Sequence, residues 1–167
     1  RITSGLIDVH THGIAGADFL CADKNALSKM SRAYLSHGVT AVMPTLASGT
    51  LKNMIISAKS INEFTTDNGA DFCGIHLEGR YLNPKKRGAH ALELLSLPNA
   101  DELDAFGTLN LKNLHISAAF ELDKDKSFLN KALSLGATLS LGHTDAHSTQ
   151  ATELEKLGVT AYPHLYN

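Results

Sequence analysis

The sequence predicts an α/β fold in which βα units surround a parallel sheet. Three observations carry that prediction. Short β-branched runs alternate with amphipathic helical stretches along the whole chain. Three helix-to-strand junctions are alike: HGVTAVMPT from residue 37, LGATLSLGHT from 135 and LGVTAYPHLY from 157. Each supplies a glycine for a left-handed helix exit and then a β-branched entry into a buried strand. Histidines and a glutamate also fall at the ends of the expected strands, where active sites of parallel β/α architectures form. A doubly wound sheet and a closed barrel both satisfy this rhythm.

The elements follow in order. The first strand is expected at 5–12, GLIDVHTH. Asp23 then caps a helix whose apolar stripe is Leu27, Met30, Tyr34 and Leu35, stopped by Gly38. A second strand at 40–46 leads to a helix with the stripe Leu51, Met54, Ile55, Ala58 and Ile61. The third strand, 71–78, runs into the excursion RYLNPKKRGAHALELLSLPN at 80–99, and loops that long inside a compact domain are usually functional. The fourth strand is expected at 114–121. Asp125 is the expected cap of the next helix, with Phe128, Leu129, Ala132 and Leu133 before Gly136. A fifth strand at 137–143 precedes a helix capped by Ser148 and carrying Ala151, Leu154 and Leu157. The sixth strand is expected at 159–165 after Gly158.

Composition excludes several functions. The 167 residues carry a formal net charge of −2, which gives no electrostatic case for nucleic acid. The one basic run, Lys85, Lys86 and Arg87, reads as a solvated loop face. No apolar stretch approaches the roughly 18 residues of a membrane span, and nothing resembles a signal peptide, so a cytoplasmic location is expected. The two cysteines, Cys21 and Cys73, form no CxxC and read as small packing residues. Nine histidines with no tag-like run are an excess that needs a use.

Side chains alternate across a strand, so His10 and His12 project from one face, about 7 Å apart along the backbone. Glu78 ends the third strand, His143 the fifth and His164 the sixth. A Glu and two His around an open position is a common catalytic zinc set, in which the metal lowers the pKa of a water and polarises a carbonyl. With His10 and His12 there are enough ligands for a second ion, bridged by Glu78. His76 shares a face with Glu78 one layer deeper, where supporting the ligands and packing the core are both open to it. His90 in the excursion touches substrate or is solvated. His37, His115 and His147 read as structural. Asp145, two residues after His143, reads as a helix cap.

The segments GLIDVHTHG, GIHLEGRYLNPKKRGAH, LGHTDA and HLYN resemble the N-acetylglucosamine-6-phosphate deacetylases of the amidohydrolase superfamily, in family order across essentially the whole chain. The resemblance implies a metal-bearing (β/α)8 TIM-type barrel, of which about six strands are present, with residues 1–167 forming a partial catalytic domain. It implies one or two divalent metals, with zinc first and iron or manganese as alternatives. Glu78, His143 and His164 match the family's ligands, and His10 and His12 match members that hold a second ion. Ala89 and His90 match the substrate-contacting loop, and Asn167 the asparagine that contacts the sugar phosphate. The activity implied is hydrolysis of N-acetylglucosamine 6-phosphate to glucosamine 6-phosphate and acetate, by a homodimer acting on a small amino-sugar phosphate. The superfamily's lysine-bridged sites take a lysine from the fourth strand, and NLHISAAFEL has none.

The departures are informative. The family's proline after HLEG is Arg80 here, which puts a charge beside Glu78, and its Ala-Pro-Glu reads Ala119, Phe120, Glu121. A complete barrel takes about 250 residues and eight strands, so the chain is expected to be part of the enzyme, with the proton-transferring aspartate beyond Asn167. Two competing readings are a deacetylase of N-acetylgalactosamine 6-phosphate or another amidohydrolase, and a barrel fragment that only binds metal or sugar phosphate.

Overall fold

The computed structural model describes residues 2–166. Its main sheet is parallel throughout and curls into half a barrel. The order is β1 (Leu6–Thr11), β4 (Val39–Leu46), β6 (Ile75–Glu78), β7 (Leu114–Ala118), β8 (Thr138–Leu141) and β9 (Val159–Ala161), with β5 (Asp71–Phe72) also paired to β4. A small antiparallel hairpin, β2 (Gly13–Ile14) and β3 (Ala17–Asp18), follows β1. The crossovers are α1 (Lys24–Ser36), α2 (Leu51–Asn62), α3 (Ala100–Gly107), α4 (Ser127–Ser134) and α5 (Ser148–Lys156).

Alternation along the strands divides the molecule into an apolar outside and a polar inside. Ile75, Leu77, Leu114, Ile116, Leu139 and Leu141 are buried with Met54, Ile61, Leu103, Phe106, Phe128 and Leu129 of the helices in one core. The intervening residues are Thr45, His76, Glu78, His115, Ser117, Thr138 and Ser140, aligned across neighbouring strands as Thr45↔His76↔His115↔Thr138 and Glu78↔Ser117↔Ser140. Residues in register share a face, so one polar wall lines the inside of the curl.

The expected third strand is two strands, because β5 pairs with Ala41 and Val42 and β6 with Thr45 and Leu46, farther along the same side of β4. The last three strands are shorter than expected. A 3-10 turn, Phe120–Leu122, ends β7, and left-handed backbone at His143 (φ 49°) and His164 (φ 34°) takes the chain off the ladder after β8 and β9. Asp23 caps α1 as expected, accepting from the Ala26 amide at 2.8 Å. Two caps differ. The first amides of α4 at Phe128 and Leu129 are held by buried Asp123 rather than Asp125, which serves only Ser127. The cap of α5 is His147, whose amide donates to Gln150, rather than Ser148.

Candidate metal centre

Glu78 is the last residue of β6 and is 2% exposed. Four imidazoles converge on its carboxylate. Its Oε2 lies 2.9 Å from His10 Nε2 and 3.0 Å from His12 Nε2, and its Oε1 lies 3.0 Å from His164 Nε2 and 3.4 Å from His143 Nε2. Each oxygen therefore faces its own pair of rings. The donor atoms form two trios, His10, His12 and Glu78, and Glu78, His143 and His164, with the atoms of each within 4.8 Å of one another.

Local backbone brings these groups together. Gly79 lets the chain leave β6 against the backbone of Ser48, since a Cβ there would meet the Ser48 amide nitrogen at 2.4 Å. Gly142 does the same for the turns after β8 and β9: a Cβ would stand 2.6 Å from Pro163 Cγ. Left-handed backbone at non-glycine residues costs about 1–3 kcal/mol and survives only where the surroundings over-determine it. His143 and His164 both have it, and both point a ring at Glu78.

The ring orientations provide a test of whether a cation fits. His12 Nδ1 lies 3.2 Å from the Thr45 carbonyl and His143 Nδ1 lies 2.9 Å from the Lys86 carbonyl. A nitrogen facing a carbonyl carries the hydrogen, so in the neutral ring Nε2 turns a lone pair towards Glu78. Lone pair against carboxylate is repulsive unless positive charge lies between them. The free protein supplies protons: the bond to Glu78 raises both the His12 and the His143 imidazoles above their ordinary value, against the opposing effect of burial. Burial alone would raise the Glu78 carboxyl, but hydrogen bonds from His10, His12 and His143 hold it well below the usual range. A divalent cation in place of those protons fits the same donors, and carbonyl-fixed imidazoles with a carboxylate are a set that zinc accepts.

Beneath the carboxylate, His76 is pinned between Thr45 Oγ1 at 3.1 Å and Ser117 Oγ at 2.7 Å. Burial and the neighbouring His115 and His10 rings push it down to about 3, so it stays neutral. The chain of bonds continues through Ser140 to His115, whose Nε2 is 2.9 Å from Ser140 Oγ. A cavity of about 510 Å³ opens beside this wall, lined by His10, His76, His115, Ser140, Thr160 and His164. A second, of about 470 Å³, lies over His143 and His164 with Lys86 and Thr144 at its edge.

His90 is brought to the site. Its Nδ1 is 2.9 Å from Ser48 Oγ, and its ring centroid is 4.9 Å from that of His143. Ala89 is exposed on the same loop, and Asn167 lies outside the described residues. Asp145 caps no helix; it pairs with Lys85 at 3.0 Å and Lys86 at 3.7 Å. The Arg80 charge is not turned on Glu78 either. Its guanidinium grips both oxygens of Glu102 at 3.1 Å, and its φ of 66° is one that proline, locked near −65°, cannot adopt. Sequence reasoning passed over Thr45, Ser48, Ser117, Ser140 and Glu121, although the alternation in LHIS and TLSL marks Ser117 and Ser140 as inward-facing.

No family model matches the chain. It is 32% identical over 175 residues to the N-acetylglucosamine-6-phosphate deacetylase of Danio rerio, covering 99% of this chain and 43% of the relative, and 33% identical over 176 residues to that of Bos taurus, covering 99% and 42%. The backbone superposes on the N-acetyl-D-glucosamine-6-phosphate deacetylase of Mycobacterium smegmatis, solved as a mutant in complex with N-acetyl-D-glucosamine-6-phosphate, with a TM-score of 0.85 at 26% identity over 98% of this chain and 43% of that one. The chain is similar to N-acetylglucosamine-6-phosphate deacetylases over nearly its whole length. It spans less than half the length of these relatives. The half-barrel corresponds to part of the deacetylase barrel. The deacetylase family is metal-dependent, and the His/Glu cluster is a possible metal site in it. Among the described residues no helix is long and apolar enough to cross a membrane.

Proposed function

We propose that the protein takes part in metal-dependent hydrolysis of the acetamide of N-acetylglucosamine 6-phosphate, yielding glucosamine 6-phosphate and acetate. The observation that carries this reading is the Glu78 carboxylate set between two pairs of imidazoles. A related enzyme of the same backbone holds that sugar phosphate, which supports the substrate.

In this reading Glu78, His143 and His164 hold one ion, and His10 and His12 share Glu78 for a second. Zinc is the ion we assign, with iron and manganese the other ions that accept His and carboxylate. A bound ion of this kind supplies an acidified water and polarises the acetamide carbonyl. The chain's own residues do the rest. The Thr45 and Lys86 carbonyls keep His12 and His143 in the tautomer that presents Nε2. His76 stays neutral below Glu78 and adds no competing charge. His90, held by Ser48 beside His143, contacts the substrate with Ala89, and Asn167 meets the phosphate. Residues 1–167 act as part of one catalytic barrel domain, and the aspartate that moves the proton from water to the leaving amine lies beyond Asn167. A homodimer and a cytoplasmic location come with the same reading.

The test is acetate release from N-acetylglucosamine 6-phosphate with zinc supplied, for this chain and for a version extended through the downstream coding sequence. Activity in the extended protein alone supports both the deacetylase reading and the position of the aspartate. Release from the galactosamine isomer but not from the glucosamine one would overturn the substrate.

A further inference from the structure

Glu121, in the 3-10 turn after β7, is a member of neither donor trio. Its two oxygens take three hydrogen bonds from two other segments. Oε2 accepts from the Thr144 hydroxyl at 2.6 Å, and Oε1 accepts from the Asp145 amide and from Asn83 Nδ2, both at 2.9 Å. Thr144 and Asp145 directly follow His143. Asn83 belongs to the excursion and returns to His143, its amide donating to the His143 carbonyl at 2.9 Å. Three residues farther on, the Lys86 carbonyl takes the His143 ring hydrogen.

His143 is thus fixed on every side, and Glu121 is the junction of the fixings. The φ of 49° at His143 is strained for a residue with a side chain, and strain of that kind persists only where neighbours enforce it. Glu121 clamps the two residues after His143 and, through Asn83, the loop that sets its ring. We propose that Glu121 is the positioning residue of His143: it holds the strained turn that aims Nε2 at the Glu78 oxygen. The proposal rests on the reading of His143 as a metal ligand.

The experiment is a competitive zinc titration of the protein and of a set of variants. Glu121→Ala is expected to weaken zinc about 10-fold, at the lower end of what loss of an outer partner costs. Glu121→Gln recovers most of this, because its amide oxygen still accepts from Asp145 and Asn83 while its N–H meets the Thr144 hydroxyl. In a His12→Ala background Glu121→Ala still costs about 10-fold, whereas in a His143→Ala background it adds nothing, since coupled residues fail to add and independent ones do not. An equal loss in both backgrounds, or no loss in the unmodified protein, overturns the proposal. If His143→Ala itself leaves zinc affinity unchanged, the ligand assignment falls and takes the role of Glu121 with it. That result is distinct from one in which His143→Ala weakens zinc and Glu121→Ala does not, which removes only the role of Glu121. Should Glu121→Ala not fold, Thr144→Val cuts the Oε2 arm alone and runs through the same cycle with the same outcomes.

Discussion

At Glu78 the geometry needs two equivalent anionic oxygens, because each one serves a different pair of rings. Glu78→Gln preserves size and shape but turns one of those oxygens into an N–H donor and removes the charge. Zinc affinity is expected to fall by more than about 100-fold, beyond the 10–100-fold typical of outer partners; a competitive titration that finds full affinity in this variant would remove Glu78 from the ligand set. The grouping of His10, His12, Glu78, His143 and His164 was legible in the sequence because strand alternation and strand-end position are local properties: His10 lies on β1, His12 directly follows its last residue, and Glu78 ends β6. Glu121 was not legible. Its partners lie 23, 24 and 38 residues away, and no local pattern connects them. Asp145 misled for a similar reason: a carboxylate near a helix start looks like a cap until the fold brings Lys85 to it from 60 residues away.

At the scale of elements, the excursion after β6 is a braced structure rather than a free lid. Arg80 and Glu102 form a two-bond ion pair at its base, each only 17% exposed, and Tyr81 adds its hydroxyl to Glu102 at 2.8 Å. The Ser96 amide closes back on the Arg80 carbonyl at 2.6 Å, and Arg80 also reaches the Gly49 carbonyl. Hydrogen bonds to charged groups contribute roughly 1.5–3 kcal/mol each. Arg80→Met removes the pair while keeping the aliphatic stem, so local opening of residues 80–99 should rise about 10-fold or more. Hydrogen exchange followed by mass spectrometry reads this directly: faster exchange confined to 80–99 is expected, and unchanged protection would show that the clamp does not hold the loop. The length of the excursion was plain from the sequence. Its rigidity was not, because the clamp depends on a left-handed Arg80 and on α3, for which no apolar stripe was singled out. The helices with clear stripes, α1 and α2, contain every residue of those stripes, since amphipathic spacing is set by the same core contacts that bury Leu27, Met30, Met54 and Ile61.

For the whole molecule, the candidate ligands are spread across the width of the sheet. His10 and His12 stand on or just past the edge strand β1, Glu78 on central β6, and His143 and His164 after β8 and the other edge strand, β9. Both edges are open among the described residues, and Leu6, Ile7 and Val9 of β1 are 64%, 67% and 60% exposed. Unpaired edges are where a sheet frays first. Drawing the two edge strands to one point therefore ties down the least protected elements of the fold. The unfolded chain cannot assemble donors separated by up to 154 positions, from His10 to His164, so an ion bound at this centre favours the folded state by about 2.7 kcal/mol at 100 times its Kd. For a domain of this size 1 kcal/mol is worth roughly 2–4 °C, which makes the expected rise in Tm about 5–10 °C. Calorimetry of the chelator-stripped protein, before and after zinc is added, measures it. His143→Ala and Glu78→Gln should each lose most of the rise. A Tm indifferent to zinc in the unmodified protein would mean that the four rings and the carboxylate are satisfied by protons alone, and that the centre does not staple the two edges together.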